Sequence, residues 1–460
     1  MDKVFRLSDF CHYVEVGEGM VALYNSLTAG VLFLRKDLSD LLKNSTGGVI
    51  RESVLFSIDG NRCSLLNSLI ERRLIMPIGE RYDIDDYLRM QNLLKENGVG
   101  ILYLLATDGC NLGCSYCYIE NVLPKDYQFS LMSKETAKQG IDLFARSLSR
   151  TIEEPHVILY GGEPLLNPEV VHWSIDYVLR LKDDGTLPEK TGITINTNAT
   201  LISRDFIDFL ADKKVQIAVS LDGKKEMHDM MRRDKEGRGT YDKVIRNCRM
   251  MAEQSIDFGF SVTITKANIH RLEDVIIWLH KTFNINSVGF NIVIDRSEAL
   301  IGMSELEYAT LVTEKLINCF EICREKGIYE DRIMRKVDSF IDGYPYLYDC
   351  GAPGDQLVIS PDRMVGVCQA YCGTKKNFVA LDELDNPADH PIWQEWRFRS
   401  PIHQRQCYDC ISIGICGGGC PYNAELKTGS IWGLDNTFCV HSKGTVNYLI
   451  QKLYQETKKS

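Results

Sequence analysis

No apolar run in this 460-residue chain approaches the ~18 residues of a membrane-spanning helix. Excess positive charge is missing too: 53 Lys and Arg stand against 63 Asp and Glu, a net charge of −10. A surface built to grip phosphates needs the opposite balance, so neither membrane nor nucleic acid is the expected partner. The N-terminus, MDKVFRLSDFCHYVEV, has no apolar core of a secretory signal, and the expectation is a cytoplasmic chain. The nine histidines include no HExxH and no pair at metal spacing, and His228 reads as structural. Solenoid repeats and low-complexity tracts are also absent. Cysteine is what the chain has in quantity: 16 residues, which in a reducing compartment are metal ligands sooner than disulfides. With 44% hydrophobic and 25% charged residues, the rest of the composition is that of a globular protein with room for two to four domains.

Texture divides the chain into three segments. In residues 1–90, HYVEVG and MVALYN alternate as short strands, LRKDLSDLLKN reads as an amphipathic helix, and SLLNSLIERRLIMPIGERYDI reads as a helix followed by an extended wing. This is the pattern of a small winged-helix-like module, and DDYLRMQNLLKENG reads as its helical connection onward. Residues 91–335 alternate strand and helix. The strands are ILYLLA (101–106), HVILYG (156–161), ITINT (193–197), VQIAVS (215–220), FGFSVTIT (258–265) and SVGFNIVI (287–294). Such alternation predicts an α/β fold of parallel strands with crossover helices. Six units predict a partial (β/α)6 barrel, with chemistry on the loops at the C-terminal strand ends. Residues 336–460 are dense in Gly and Cys, which predicts a small domain held together by metal.

ATDGCNLGCSYCY, after the first barrel strand, places Cys110, Cys114 and Cys117 at C-x3-C-x2-C spacing. Three close thiolates can hold three corners of a cubane, leaving one iron open to substrate, or three of the four positions around a zinc ion. With the aromatic Tyr116 before the last cysteine, this motif resembles that of radical S-adenosylmethionine (radical SAM) enzymes. Further elements follow in that family's order, each at a strand end: Gly161, Gly162, Glu163 and Pro164, then Asn196, Thr197 and Asn198, then Ser220, Leu221, Asp222 and Gly223 with Arg232 beyond. The resemblance implies that Tyr116 lies beside the adenine and that the Gly161–Gly162–Glu163 run binds the SAM amino group. It further implies that a polar side chain of the Asn196, Thr197 and Asn198 run contacts the ribose, that Ser220 at the fourth strand end belongs to the SAM site, and that Arg232 meets the carboxylate. It also implies the activity: a 5′-deoxyadenosyl radical that abstracts hydrogen from an unactivated C–H, the cofactor carrying the hard step.

CYDCISIGICGGGC supplies Cys407, Cys410, Cys416 and Cys420, with Cys439 after and Cys350 and Cys368 before. Alone, part of this set could be a zinc ribbon. Together with GGGCPYNA it resembles the SPASM domain of radical SAM peptide maturases. That likeness implies two auxiliary [4Fe–4S] clusters, three in all: a distal one on Cys407, Cys410, Cys416 and Cys439, and one nearer the active site on Cys350, Cys368 and Cys420. The stretch YPYLYD lacks the extra cysteine that many relatives carry, so the near cluster is either open at one iron or closed by Cys372. Cys319 and Cys323 stand at i, i+4 on a helix and read as buried core thiols, while Cys11, Cys63 and Cys248 are scattered.

Residues 1–90 resemble the RiPP recognition element, the module that binds leader peptides of ribosomally made, modified peptides. A leader would add a strand to its sheet edge. The expectation is thus a maturase that forms a thioether, Cys sulfur to carbon, in a precursor peptide, with flavodoxin or ferredoxin as electron donor. The alternatives are a carbon–carbon crosslink or another peptide modification, an anaerobic sulfatase-maturating (formylglycine-forming) enzyme, and a non-catalytic zinc-bound interaction module. Sulfatase maturases carry an Asp directly after the second SPASM cysteine, where this chain has Gln369.

Overall fold

The computed structural model describes residues 2–44, 48–59, 64–93, 98–123, 126–149, 152–294 and 297–459. Cys63 lies outside them. The chain forms two compact units: residues 1–96, 333–350 and 399–460 make one, and residues 97–332 and 351–398 make the other. This partition differs from three consecutive segments, because the chain enters the first unit three times.

The first unit is organised by a three-stranded antiparallel sheet of Cys11–Gly17, Met20–Asn25 and Val31–Arg35, with Met20–Asn25 in the centre. Side chains alternate faces along a strand, and here both faces are covered. Leu23 joins Phe5, Leu34, Leu42, Leu66 and Leu69, so the helices Lys36–Lys43 and Ser64–Glu71 cover one face. Ala22 and Tyr24 join Val446, Leu449, Ile450 and Tyr454 of the C-terminal helix Asn436–Thr457 on the other. MVALYN is apolar almost throughout for this reason. A second antiparallel sheet pairs Val4–Leu7 with Ile50–Arg51 and with the wing strand Ile75–Pro77. The helix Tyr82–Leu93, expected as a connection, is part of this unit's core: Met90 packs with Phe10, Ile402 and Ile413, and Gln91 Nε2 donates to the Ile402 carbonyl at 2.9 Å.

The second unit carries the six expected strands as Ile101–Thr107, His156–Gly161, Gly192–Thr197, Gln216–Ser220, Phe258–Ile264 and Ser287–Ile292. They lie side by side in chain order, all parallel. The sheet is longer than the sequence reading. Tyr329–Glu330 extends it beyond the sixth strand, and Gln356–Ile359 pairs parallel with the first, followed by antiparallel Met364–Gly366 and Phe378–Ala380. Gln356–Ile359 has no strand signature in the sequence, because its four residues are all buried and show no period-2 alternation. Along the third and fourth strands Ile193, Ile195, Ile217 and Val219 are buried, while Thr194, Asn196, Ala218 and Ser220 on the opposite face are less covered. That second face lines a cavity of about 260 Å³ with Thr194, Gln216, Ala218, Phe258, Ser261 and Asn291. The long helix Glu305–Lys326 begins with a Ser304/Glu307 capping box and ends at Gly327 in the left-handed region. Cys319 and Cys323 are fully buried in it, as core thiols. Among the described residues no helix is long and apolar enough to cross a membrane.

Candidate active site

The first strand ends at Thr107, whose hydroxyl accepts from Gly109 N at 3.0 Å and starts the cysteine loop. Two neighbouring segments pin this loop. On one side Gly162 N donates to Thr107 O at 3.0 Å and Glu163 N to Gly109 O at 2.9 Å. On the other, Gly113 N donates to Arg233 O at 2.8 Å and Ser115 N to Met231 O at 3.0 Å. The GGEP glycines serve this closeness. Gly161 has φ +138°, and a Cβ there would stand 2.1 Å from Thr107 O.

Cys110, Cys114 and Cys117 are half-buried and unbridged. Leu112 N lies 3.4 Å from Cys110 Sγ, Glu120 N 3.4 Å from Cys117 Sγ, and Arg232 Nη1 4.0 Å from Cys114 Sγ. Asn198 Nδ2 adds a longer contact to Cys110 Sγ at 3.8 Å. Burial pushes the Cys110 thiol up to about 12 and the Cys114 thiol up to about 11, the latter pulled back by Arg232. Burial raises Cys117 as well. Metal-free, these thiols are protonated at neutral pH, so metal loading must release their protons. An all-sulfur donor set ringed by N–H groups and a guanidinium suits an iron–sulfur cluster, whose anionic charge those donors stabilise. A fourth protein ligand is not among these contacts.

Of the residues expected around SAM, Tyr116, Glu163, Thr197 and Arg232 are tied to the cysteine loop or to one another, some of them committed to the scaffold. Glu163 is fully buried and accepts from Leu165 N at 3.1 Å, Thr197 Oγ1 at 2.7 Å and Asn198 N at 2.8 Å. Burial lifts its carboxyl to about 7 against those donors. Glu163 and Thr197 thereby tie the second and third strand ends together. Asn198 Nδ2 donates to Asn111 Oδ1 at 2.9 Å, tying the third strand end to the cysteine loop. Asn196 and Ser220 are half-buried on the open sheet face. Tyr116, Asp222 and Arg232 form one buried group. Asp222 Oδ2 accepts from Tyr116 Oη at 2.5 Å and Arg232 Nε at 3.0 Å, and the guanidinium lies 5.2 Å from the Tyr116 ring centre. His228 Nδ1 lies 3.4 Å from Asp222 N and its Nε2 3.0 Å from Thr240 Oγ1, the structural place expected of it. Burial lowers its imidazole to about 4, leaving it neutral.

One further contact leaves no sign in the sequence. Tyr160, on the second strand before the glycines, shares a hydrogen bond of 2.8 Å with Tyr118, the residue after Cys117. No motif marks Tyr160, because the partnership exists only once the second strand lies against the cysteine loop.

Of the C-terminal cysteines, Cys407, Cys410, Cys416 and Cys439 all lie in the first unit. Burial pushes the Cys439 thiol up to about 12, and Cys416, Cys407 and Cys410 act on it in the same direction. The loop Gly417–Gly419 between Cys416 and Cys420 has φ values of +70°, +79° and +68°, three consecutive left-handed residues that only glycine adopts without strain. Among the described residues no three His, Cys, Asp or Glu side chains converge on a single-ion position. Cys350 and Cys420 belong to the first unit, Cys368 and Cys372 to the second. Within the second, a short turn separates Cys368 from Cys372, and the acidic groups acting on the Cys372 thiol are Asp108 and Asp362.

Residues 104–279 match the Radical SAM superfamily. The radical SAM cyclopropyl synthase TigE of Paramaledivibacter caminithermalis is 22% identical over 97% of this chain and 96% of its own. The cysteine-type anaerobic sulfatase-maturating enzyme of Clostridium novyi is 22% identical over 76% of this chain and 94% of its own. The structure of Streptococcus suis SuiB bound to precursor peptide SuiA superposes with a TM-score of 0.53 at 16% identity, covering 95% of this chain and all of that one. Residues 104–279, which include the Cys110–Cys117 loop, are thus a radical SAM domain, in a fold that the chain shares with SuiB.

Proposed function

We propose that this enzyme acts on a ribosomally made precursor peptide, whose leader binds residues 1–90, and closes a thioether between a Cys sulfur and an acceptor carbon. The observation that carries the peptide substrate is coverage. SuiB, solved with its precursor peptide, aligns with 95% of this chain, which leaves too little outside to omit the N-terminal module. Three [4Fe–4S] clusters are proposed: on Cys110, Cys114 and Cys117; on Cys407, Cys410, Cys416 and Cys439; and on Cys350, Cys368 and Cys420, with Cys372 as the candidate fourth ligand. A flavodoxin or ferredoxin is the proposed electron source. When bound, SAM and its cluster supply a carbon-centred radical able to take hydrogen from an unactivated C–H. The protein's part is to hold the cofactor through Tyr116, Gly161, Gly162, Asn196, Ser220 and Arg232, with Glu163 and Thr197 bracing that wall, and to exclude water.

Arg232 is proposed to hold the SAM carboxylate. A charge-assisted bond contributes about 1.5–3 kcal/mol, so Arg232→Ala is expected to weaken SAM binding about ten- to a hundredfold, measured by equilibrium dialysis. Unchanged affinity would move this role to another residue, Arg233 first.

A second reading is favoured by one relative: TigE, a cyclopropyl synthase, spans 97% of this chain, which supports carbon–carbon ring closure. Thioether and carbon–carbon closure both remove two hydrogens, so mass alone does not separate them. Iodoacetamide does, because only a thioether consumes a Cys thiol. Formylglycine formation is disfavoured at Gln369, a neutral amide whose Oε1 accepts from Gln356 Nε2 at 2.9 Å. It cannot serve as the carboxylate base of that reaction.

The leader site has its own test. Deleting residues 1–90 is unsuitable, because it would bare the apolar face of Asn436–Thr457 that Ala22 and Tyr24 cover. One edge of the three-stranded sheet is engaged, since Gln451 Nε2 donates to Glu15 O at 2.8 Å. The other edge is Val31–Arg35. Leader peptide is expected to slow amide exchange at Val31–Arg35 by adding a strand there. Saturating leader with unchanged exchange in that strand would place the leader elsewhere.

A further inference from the structure

Two fully buried cations grip the loop between Cys416 and Cys420. Arg399 has no solvent exposure, and its guanidinium donates to Gly418 O at 2.9 Å, to Gly433 O at 3.0 Å and to Ile431 O. Lys336 is equally buried; its Nζ donates to Cys416 O at 3.1 Å, Ile415 O at 3.2 Å and Ser442 Oγ at 3.3 Å, with Asp349 Oδ1 at 3.9 Å. The fit around Arg399 is close: a Cβ on Gly418 would lie 2.7 Å from its Nη1.

Carbonyls satisfy the donors of a buried cation without neutralising its charge. A neutral amide side chain could make such bonds at lower desolvation cost, so a full charge at both places calls for nearby negative charge. Arg cannot lose its proton to escape this cost. The acidic groups around Arg399 are the thiols of Cys416, Cys407 and Cys420 and the Asp435 carboxyl. One carboxyl group stands near each cation, Asp349 by Lys336 and Asp435 by Arg399, and neutral thiols add no charge to it. Thiolates committed to iron do, and the cluster they form becomes more negative still when reduced.

We infer that Arg399 and Lys336 are the built-in countercharge of the distal auxiliary cluster on Cys407, Cys410, Cys416 and Cys439, and that they raise its reduction potential. The inference rests on the proposed cluster at those cysteines. A buried cation favours the more negative, reduced state, and charge is one of the levers that set such potentials. All six residues belong to the same compact unit.

The test uses the full-length, anaerobically reconstituted enzyme and a redox titration followed by electron paramagnetic resonance. Arg399→Gln and Lys336→Gln are each expected to move the distal cluster to a more negative potential, while Arg399→Lys, which keeps the charge and loses the fork, stays near the parent enzyme. Neutral variants titrating with the parent, or Arg399→Lys shifting as far as Arg399→Gln, overturn the inference in favour of packing alone. Should Arg399→Gln lose iron, retention in Arg399→Lys supports the countercharge, and equal loss in both overturns it. The cluster reading is tested separately by changing Cys407, Cys410, Cys416 and Cys439 together to Ser. If that variant keeps all its iron, the cluster assignment fails, whatever the potentials of the cation variants.

Discussion

Replacing Cys110, Cys114 and Cys117 together by Ala is expected to abolish reductive formation of 5′-deoxyadenosine from SAM, with loss of one four-iron complement and no loss from the C-terminal cysteines. The three thiols occupy one loop and supply every sulfur donor there. The four cysteines of the proposed distal set lie in the other compact unit. The loop itself is held by backbone bonds from Gly162 and Glu163 on one side and to Met231 and Arg233 on the other, none of which needs a thiol, so its path survives the change. Chromatography of dithionite-reduced reactions measures the nucleoside, and iron analysis measures the clusters. Persistent 5′-deoxyadenosine in the triple variant would remove the cysteine loop from the chemistry.

Gly162→Ala is the second large effect expected. The added Cβ would meet Gly109 O at 2.1 Å and Cys110 N at 2.9 Å. Both are backbone atoms, so no rotamer change relieves the clash and the cysteine loop has to move. A displacement of about 1 Å at a reacting centre costs on the order of a hundredfold in rate. The rate of 5′-deoxyadenosine formation is therefore expected to fall at least that far, together with iron content at the loop. Circular dichroism melting distinguishes a displaced loop from global unfolding. A near-parental rate and iron content would show that the GGEP backbone does not position the loop.

The six barrel strands were legible because each carries a local pattern of β-branched and aromatic residues between turn signals, a property of neighbours in sequence. The cysteine motifs were legible because cluster chemistry constrains ligand spacing. The flanking strand Gln356–Ile359 was not, being short and buried throughout. Nor was the bracing role of Glu163 visible. GGEP is a local signature, but its carboxylate bonds to Thr197 and Asn198, on another strand.

From its residues alone this chain declares an α/β barrel order, a C-x3-C-x2-C loop and a cysteine-rich C-terminal segment, since propensity, periodicity and residue spacing act within a few residues. Which distant segments share a core was decided only by the tertiary structure. The strand Met20–Asn25 is covered on one face by a helix more than four hundred residues away, so the N-terminal module and the C-terminal helix form one unit. The same folding brings Arg399 and Lys336 from separate segments onto the Cys416–Cys420 loop. Apolar contact and charge compensation act through space, and no spacing rule in the sequence encodes where they meet.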